Sequence, residues 1–242
     1  MTYALFGSAA ERYDWHTPPH HYKHDHAFVL SRLPPSPCRI LDVGCGTGVF
    51  LEKAVAAGFD AMGLDASPQM VEIASRRVGP DRVRQCQMQD ISLEEKYDAI
   101  VSLSWSFNYV NSFAEAEDVL NRFYKALGPK GQLILQIAHA PNATGEVNED
   151  REPGPDGQPE DILFLYVFNR VEESRGELMA KYVYGCKTRK ELLFEEHKLG
   201  AADVLEVARI SSCVGFQNVE VFNSWRGEPL EQSISAFMLA RK

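Results

Sequence analysis

The segment Ile40-Leu-Asp-Val-Gly-Cys-Gly-Thr-Gly-Val49 joins a short apolar run to an acid and three closely spaced glycines, and it leads directly into a helical pattern. A strand, a tight turn and a helix in this order form the ligand-binding unit of doubly wound α/β folds. Because Gly44, Gly46 and Gly48 lack a Cβ, the turn can adopt positive φ angles and bring backbone N–H groups close to a polar ligand. The spacing is G-x-G-x-G, whereas the dinucleotide-binding pattern G-x-G-x-x-G would need its third glycine at Val49. The segment therefore predicts a nucleotide-like ligand other than NAD or FAD.

Asp42-Val-Gly-Cys-Gly-Thr-Gly48 resembles motif I of the class I S-adenosylmethionine (SAM)-dependent methyltransferases. A tight turn that binds no ligand would show similar glycines, so the assignment depends on the motifs that follow along the chain. The resemblance implies that the turn contacts SAM through Asp42, Gly44, Cys45, Gly46 and Gly48.

Two further segments lie where the same family holds the adenosyl group. The second apolar run ends at Asp65, about 20 residues after the first glycine, where a doubly wound fold places an acid against a ribose. Asp65-Ala-Ser-Pro-Gln-Met70 resembles the second motif of the family, which implies that Asp65 holds the ribose and Met70 packs on the adenine. A surface acid followed by a core methionine is the alternative.

The third segment follows a strand that we predict at Val83–Met88. Gln89-Asp-Ile91 resembles the position where the family accepts a hydrogen bond from the adenine amino group and packs an apolar side chain on the ring. Together the resemblance implies a SAM-binding set of Tyr13, Tyr22, Asp42, Gly44, Cys45, Gly46, Gly48, Asp65, Ala66, Met70, Gln89, Asp90, Ile91 and Leu103.

Polar and aromatic residues follow predicted strands four and five, at the edge where ligands bind open α/β sheets. Ser104-Trp-Ser-Phe-Asn-Tyr-Val110 comes after strand four, and we expect Trp105 and Asn108 to contact the acceptor. His139 follows strand five, and a near-neutral imidazole there could take a proton from the nucleophile. A hydroxyl acceptor could instead be polarised by Tyr109. The alternative for His139 is a hydrogen bond to a neighbouring loop.

Residues 143–161 are rich in glycine, proline and acids, and predict either a functional lid or a disordered connection. Beyond them the pattern predicts three successive strands, at Ile162–Phe168, Glu177–Tyr184 and Glu191–His197. Such an insert resembles the substrate cap of sugar N-methyltransferases and other small-molecule methyltransferases, where it can also form a dimer contact. Tyr166 and Tyr182 would then line the acceptor pocket, although the aromatic side chains of a strand more often belong to a core.

The first 37 residues are rich in aromatics and histidine. Tyr13-Asp14 resembles the pair in the mobile helical segment that covers SAM in many small-molecule methyltransferases, which implies that Tyr13 and Tyr22 approach the methionine end of SAM. Four histidines could be metal ligands, substrate or lid contacts, or ordinary exposed side chains, and they are His20, His21, His24 and His26. Their spacing matches no recognised ligand motif, so no metal is assigned.

Composition limits the class of partner. The chain has 242 residues, of which 45% are apolar, enough for one α/β domain with a modest insert. Its net charge of −9 would repel a phosphate backbone, so no nucleic-acid partner is expected. No apolar run approaches the length of a membrane span, and the N-terminus lacks a signal-peptide pattern. Five scattered cysteines without a C-x-x-C pair indicate reduced thiols, and we expect a cytoplasmic protein.

The expected fold is α/β, a seven-stranded Rossmann-like doubly wound sheet with a small antiparallel β insert between strands five and six. We expect an N-terminal helical lid at residues 1–37, a SAM-binding core at 38–142, an acidic loop and substrate cap at 143–198, and a C-terminal helix with strands six and seven at 199–242. The expected function is methyl transfer from SAM, by in-line displacement, to a nitrogen or oxygen of a small molecule such as a natural product or amino sugar. S-adenosylhomocysteine would be the other product, and the insert could join two copies in a homodimer. A protein methyltransferase and a SAM-binding protein without transfer activity are the alternatives.

Overall fold

The computed structural model describes residues 3–172, 174 and 176–242. In chain order the strands of the described residues are β1 Arg39–Val43, β2 Asp60–Asp65, β3 Val83–Gln85, β4 Tyr97–Ser102, β5 Leu127–Ala138, β6 Val147–Glu152, β7 Ile162–Arg170, β8 Leu178–Cys186, β9 Glu191–Leu199, β10 Gln217–Phe222 and β11 Ser235–Arg241. The α-helices are α1 Tyr13–His16, α2 Lys23–Arg32, α3 Val49–Ala56, α4 Pro68–Val78, α5 Phe113–Ala126 and α6 Val204–Val214. Short 3₁₀ helices lie at Ala4–Phe6, Ala10–Arg12, Pro80–Arg82, Met88–Asp90, Ser106–Tyr109 and Ala140–Asn142.

Seven strands form one sheet in the order β10-β11-β5-β4-β1-β2-β3, which confirms the predicted seven-stranded doubly wound fold. The strands from β1 to β5 pair in parallel, and β11 is antiparallel to both of its neighbours. β1 lies between β2 and β4, so the chain leaves β1 on one side for β2 and β3, and returns on the other side for β4. A crevice opens beyond the strand ends at such a reversal, and ligands of open α/β sheets bind there.

Local sequence signals determine where the helices around this crevice begin. The Ser67 side chain accepts a hydrogen bond from the Met70 N–H at 3.2 Å, and proline occupies the first position of α4. Ser112 caps α5 in the same way through the N–H of Glu115. α3 starts directly after Gly48, whose φ of 82° lets the chain turn from β1 into the helix.

Apolar clusters cover both faces of the large sheet. On one face α5 and α6 bury side chains such as Leu120, Phe123 and Val207, and on the other α2, α3 and α4 bury side chains such as Phe28 and Leu51. Each fully buried side chain of this size contributes about 1.5–3 kcal/mol through removal of apolar surface from water. The two layers hold the strand ends of the crevice in fixed positions.

The insert after β5 is a second, four-stranded antiparallel sheet in the order β6-β7-β8-β9, which we call the cap sheet. The three strands predicted there are confirmed as β7, β8 and β9, each with slightly shifted bounds. The segment 143–161, predicted as a loop, contains β6, whose side chains are mostly exposed and polar. A strand that buries neither face lacks the alternation on which strand prediction depends.

One strand bound also differs from prediction. The strand predicted to end at Met88 ends at Gln85, and a 3₁₀ helix occupies Met88–Asp90. Among the described residues no helix combines the length and the apolar character needed to cross a membrane. The division of the chain into lid, core and cap domains stays a prediction.

Candidate functional site

A cavity of about 760 Å³ opens beyond the C-terminal ends of β1, β2 and β4. The glycine turn after β1 forms its floor, Asp65, Ala66 and Met70 form one wall, and the loop after β4 forms another. The N-terminal segment covers it with Tyr3, Phe6, Tyr13 and Tyr22. Small-ligand sites range from about 300 to 1,000 Å³, so this cavity can hold a nucleotide-sized ligand together with a small second molecule.

Backbone hydrogen bonds give the glycine turn its shape. The N–H groups of Gly44 and Cys45 both donate to the Leu64 carbonyl, at 2.7 and 2.9 Å, and Gly46 N–H donates to Asp65 Oδ2 at 2.9 Å. A Cβ built on Gly44, whose φ is +75°, would lie 2.5 Å from Ser106 Cβ. A Cβ on Gly46 would meet no atom within 4 Å, so backbone faces open cavity at that residue. The turn therefore lets a ligand approach the main chain closely, as a SAM-type cofactor requires.

Two carboxylates flank the turn. Asp42, at the end of β1, is only 2% exposed, and burial followed by the nearby charge of Asp65 raises its pKa to about 8. Burial also raises the pKa of Asp65, opposed by hydrogen bonds from the N–H groups of Ser67 and Gly46. Asp65 Oδ1 accepts from Ser67 N–H at 2.8 Å. A positively charged ligand in the cavity would favour the ionised form of both groups.

Met70 and Gln89 both line the cavity, at the side where the resemblance implied adenine contacts. Gln89 Nε2 donates to Glu115 Oε1 at 2.6 Å, and the other oxygen of Glu115 accepts from the backbone and side chain of Asn111. Glu115 and Asn111 also line the cavity, so α5 supplies the support for Gln89.

Three predicted cofactor residues do not line the cavity, and their cofactor roles stay predictions. Asp90 is exposed and lies in the 3₁₀ helix at Met88–Asp90. Ile91 is buried in the core against α5. Gly48 is also outside the cavity, and a Cβ there would lie 3.0 Å from Ala74 Cβ on α4, so this glycine serves helix packing. Leu103 does line the cavity.

The N-terminal segment is bound to the glycine turn by charge and hydrogen bonds. Asp14 accepts a hydrogen bond from Thr47 Oγ1 at 2.7 Å, and its other oxygen pairs with Arg77 on α4. Burial raises the pKa of the half-buried Tyr13 and Tyr22, whose hydroxyls form a hydrogen bond with each other. The tyrosines implied by the resemblance therefore lie over the cavity, and Asp14 holds them there.

A chain of polar side chains begins at the far wall of the cavity. Tyr109 lines the cavity, and its hydroxyl lies 2.6 Å from Nδ1 of His197 on β9. Nε2 of His197 lies 3.3 Å from Glu195 Oε2, and Glu195 Oε1 accepts from the N–H groups of Ala4 and Leu5. Burial, followed by the neighbouring tyrosines, raises the pKa of Tyr109 well above 10, so this phenol stays protonated at neutral pH.

His139, the predicted base, does not line the cavity, and its catalytic role stays a prediction. Its ring is buried outside the cavity, and Nδ1 accepts a hydrogen bond from the Val204 N–H at 3.3 Å, at the start of α6. Burial lowers the pKa of His139, against the opposite effect of Asp203 at 3.5 Å. The loop-bound alternative describes this residue.

The predicted acceptor residues also lie outside the cavity. Asn108 is fully buried, donates to the carbonyls of Gly200 and Ala201, and accepts from the Ala138 N–H. It joins the loop after β4 to the end of β9, so its amide has no free group for a ligand.

Trp105 donates to Ser235 Oγ at 3.1 Å and packs edge-on against Phe168 of β7. Tyr166 and Tyr182 belong to a row of stacked rings on one face of the cap sheet. For these residues the alternative to an acceptor contact, aromatic packing between the two sheets, fits the structure.

The N-terminal histidines separate into different environments. His26 is buried, lines the cavity, and accepts at Nδ1 from Lys53 at 3.1 Å, and burial lowers its pKa to about 3. His24 stacks on Trp225. His20 and His21 approach Glu152 at the end of β6, with ligand atoms within 4.8 Å of one another, a spacing that a divalent cation could bridge.

Sequence reasoning missed several cavity or near-cavity residues. Glu115 had a detectable signal, since it occupies the third position of the capping box that begins α5. Glu195 and His197 had none, because they alternate with exposed residues on β9 as the inward side of any strand would. Tyr3 and Phe6 lie in a 3₁₀ region without periodicity.

Comparison with known proteins gives a consistent set of similarities. Residues 40–131 match the family described as a methyltransferase domain. Over its whole length the chain is 28% identical to YqeM of Bacillus subtilis (strain 168), a protein named only provisionally as a methyltransferase, and it covers 98% of that protein. It is 32% identical over 108 residues to a Streptomyces venezuelae protein named dTDP-3-amino-3,4,6-trideoxy-alpha-D-glucopyranose N,N-dimethyltransferase, across 45% of each chain.

One solved structure illustrates the likeness of fold. SAM-bound CalS10 of Micromonospora echinaspora, described as an amino pentose methyltransferase, superposes with a TM-score of 0.69 at 21% identity. The superposition covers 100% of this chain and 98% of that chain, cap sheet included.

Proposed function

We propose that this chain, a class I SAM-dependent methyltransferase, transfers a methyl group from SAM to a nitrogen or oxygen of a small molecule. The observation that carries the proposal is one continuous cavity that runs from the glycine turn to Tyr109 beneath the N-terminal segment. Cofactor and acceptor would thus share one chamber. Its cover of aromatic rings, among them Phe6 and Tyr13, excludes water from the reacting atoms.

The residues present fit SAM. Asp65, Met70 and Gln89 would hold the adenosyl group, while Asp42 and the open backbone at Gly46 would hold the charged end. When bound, SAM would supply a methyl group on a positively charged sulfur. A lone pair of the acceptor would attack this methyl group in line with the carbon–sulfur bond, and S-adenosylhomocysteine would be the leaving group. The protein must then hold the acceptor's lone pair within about 3–3.5 Å of that methyl group.

The size and cover of the cavity support a small acceptor. Gly200 and Lys198 at the end of β9 and the loop after β4 close the chamber on the side away from the glycine turn. A folded protein could not reach the methyl group without displacement of these segments. The Streptomyces relative is named for an amino sugar, and this likeness favours an amine as the acceptor group.

Incubation of the enzyme with deuteriomethyl SAM and a metabolite extract, followed by mass spectrometry, tests the proposal. A labelled small product is the expected result. Asp65→Asn replaces one of the two carboxylate oxygens that accept from the Gly46 and Ser67 N–H groups with an amide NH2 and should abolish the label, whereas Asp60→Asn at the exposed start of the same strand should leave it. Label in the protein fraction would indicate a protein methyltransferase, and tight SAM binding without any label would indicate a binding protein. Either result would reject the proposal.

We also propose that a second copy of the chain pairs through the cap sheet and that no nucleic acid binds. The edge strand β9 exposes Leu192 and Phe194 on one face, at 76% and 61% of their surface. Two exposed apolar side chains on an edge strand are a surface that a partner would cover. Sedimentation should detect a dimer, and Phe194→Lys should shift it towards monomer.

The net charge of −9 and five free cysteines support a cytoplasmic protein that avoids nucleic acids.

A further inference from the structure

Tyr109, His197 and Glu195 form a continuous hydrogen-bonded chain from the cavity wall into the cap sheet. The hydroxyl of Tyr109 and Nδ1 of His197 are 2.6 Å apart, and Nε2 of His197 is 3.3 Å from Glu195 Oε2. His197 is 1% exposed, so water cannot replace either contact. We call these three residues the relay.

The donors and acceptors of the relay can be assigned from its chemistry. Glu195 Oε1 accepts from two backbone N–H groups, at Ala4 and Leu5, which are the contacts of an ionised carboxylate. Its Oε2 can only accept, so Nε2 of His197 carries the proton between them. In the neutral ring Nδ1 is then an acceptor, and the Tyr109 hydroxyl donates to it.

The backbone brings these residues together by an unusually close approach. Gly200 N–H donates to the Asn108 carbonyl at 2.8 Å, and a Cβ on Gly200 would lie 2.2 Å from the Val110 carbonyl. Only glycine allows the end of β9 to lie directly against the loop that carries Tyr109. The N-terminal segment completes the arrangement, since Tyr3 stacks on the His197 ring at 3.6 Å.

We propose that the relay accepts the proton of the methyl acceptor, with Tyr109 as the residue that touches the acceptor, and His197 and Glu195 as positioning residues. This inference rests on the proposed function. As the acceptor's lone pair forms its bond to the methyl carbon and the carbon–sulfur bond breaks, the acceptor's proton passes to Tyr109 Oη. The original hydroxyl proton of Tyr109 passes to His197 Nδ1, and Glu195 stabilises the resulting imidazolium. The tyrosine is unchanged at the end, and solvent takes the proton from His197 when the chamber opens.

The relay specifies the acceptor class, because it is useful only to a nucleophile that enters the chamber with a proton. A primary or secondary amine and an alcohol or phenol have both a lone pair and such a proton on the attacking atom, whereas a thioether or a tertiary amine has no such proton. Since the phenol of Tyr109 stays protonated, a free tyrosinate cannot act as the base, and proton transfer must be concerted along the relay.

Other titratable groups surround the relay. The groups that face His197 or Tyr109 from neighbouring elements are Tyr3, Tyr13, Tyr182 and Tyr184, in addition to Glu195. Burial raises the pKa values of Tyr13, Tyr182 and Tyr184 above 10, so these three phenols are neutral at neutral pH.

The rate of methyl transfer tests the relay. Tyr109→Phe should lower kcat by about 10²- to 10⁴-fold, with the Kd of SAM changed less than about threefold. Glu195→Gln retains an oxygen for the Ala4 and Leu5 N–H groups but directs its amide at Nε2, which forces the proton to Nδ1 and blocks transfer from Tyr109. Glu196→Gln, next to it on the exposed face, is the matched control and should behave as wild type.

Nitrogen-15 NMR of histidine-labelled protein gives a readout that needs no acceptor or cofactor. The signals of His197, assigned by their loss in His197→Gln, should show a proton on Nε2 in the wild type and on Nδ1 in Glu195→Gln. A proton on Nδ1 in the wild type would overturn the relay, as would wild-type kcat in Tyr109→Phe or Glu195→Gln. Absence of any labelled product would reject the proposed function, and the NMR result alone would then decide the proton arrangement.

Discussion

Replacement of Asp42 by asparagine should have opposite effects on stability and on cofactor binding. Asp42 is buried at the end of β1 beside the cavity, and burial with the Asp65 charge raises its pKa from 3.8 to about 8. Because the folded pKa lies above the unfolded one, the group stabilises the fold fully below pH 4, and this contribution is lost as the pH rises through 8. Because asparagine does not ionise, position 42 in Asp42→Asn causes no such loss of stability as the pH rises.

The magnitude follows from the width of this pH range. Each unit of pKa difference corresponds to about 1.4 kcal/mol, so the full effect between pH 4 and pH 9 has an upper limit of about 6 kcal/mol. Water in the adjoining cavity solvates part of the charge, and we expect roughly 2–4 kcal/mol in practice. In a chain of this size that difference raises the Tm of Asp42→Asn above the wild type at pH 9 by about 5–10 °C, whereas the two Tm values should differ least at pH 5.

SAM binding should change in the other direction. A cationic ligand binds the ionised form of Asp42, so the wild-type Kd should decrease as the pH rises from 6 to 8, with uptake of the ligand coupled to release of a proton. Loss of a hydrogen bond to a charged group costs about 1.5–3 kcal/mol, which corresponds to a roughly 10- to 100-fold weaker Kd for Asp42→Asn. The titration of SAM's own groups affects the Kd of both proteins equally. It therefore cancels when the pH dependence of Kd in Asp42→Asn is compared with that in the wild type.

Thermal unfolding at pH 5, 7 and 9 and calorimetric titration in two buffers of different ionisation enthalpy provide the measurements. Asp60→Asn, at the opposite end of the neighbouring strand β2, is the control and should follow the wild type. If Asp42→Asn and the wild type showed parallel Tm–pH curves and equal SAM affinity, the assignment of a buried, ligand-responsive carboxyl at Asp42 would be refuted.

Three further changes test other parts of the structure. Gly44→Ala places a Cβ 2.5 Å from Ser106 Cβ at a φ of +75°, so it should weaken SAM binding at least tenfold and cost about 1–3 kcal/mol of stability; unchanged calorimetric affinity would contradict this. Phe123→Ala empties a fully buried position under α5 and should lower the free energy of unfolding in urea by about 3–5 kcal/mol, and a loss below 1 kcal/mol would argue against the described core. Burial raises the pKa of the Cys45 thiol well above 9, so iodoacetamide at pH 8 should modify the exposed Cys213 first, as peptide mass spectrometry can establish; faster modification of Cys45 would exclude its buried position.

The residues around the glycine turn and the start of α4 were largely predictable, because the sequence signals that mark them are local. Gly44 and Gly46 act within the first strand–turn–helix unit, Asp65 and the Ser67-Pro68 helix start act within the second, and all of them line the cavity. Local signals fail where backbone geometry departs from the expected element. Asp90 is exposed and does not line the cavity, and it lies in a 3₁₀ helix that begins where the end of a strand was predicted.

The acceptor side required the tertiary structure. His197 is 88 residues from Tyr109 in sequence, and no spacing or composition relates them. They meet because Gly200 lets β9 lie against the loop after β4, and because the first residues of the chain hold Glu195 through their backbone.

The amino-acid sequence by itself determined the sheet and the glycine turn, since periodicity and turn chemistry operate over a few neighbouring residues. Tertiary structure alone decided which side chains lie beside Tyr109 at the far wall of the cavity. His139, adjacent to the rim in sequence, is turned inward by the start of α6, whereas His197 reaches the Tyr109 hydroxyl from a distant strand. Long-range packing determines the orientations of these two side chains, and no local sequence pattern indicates them.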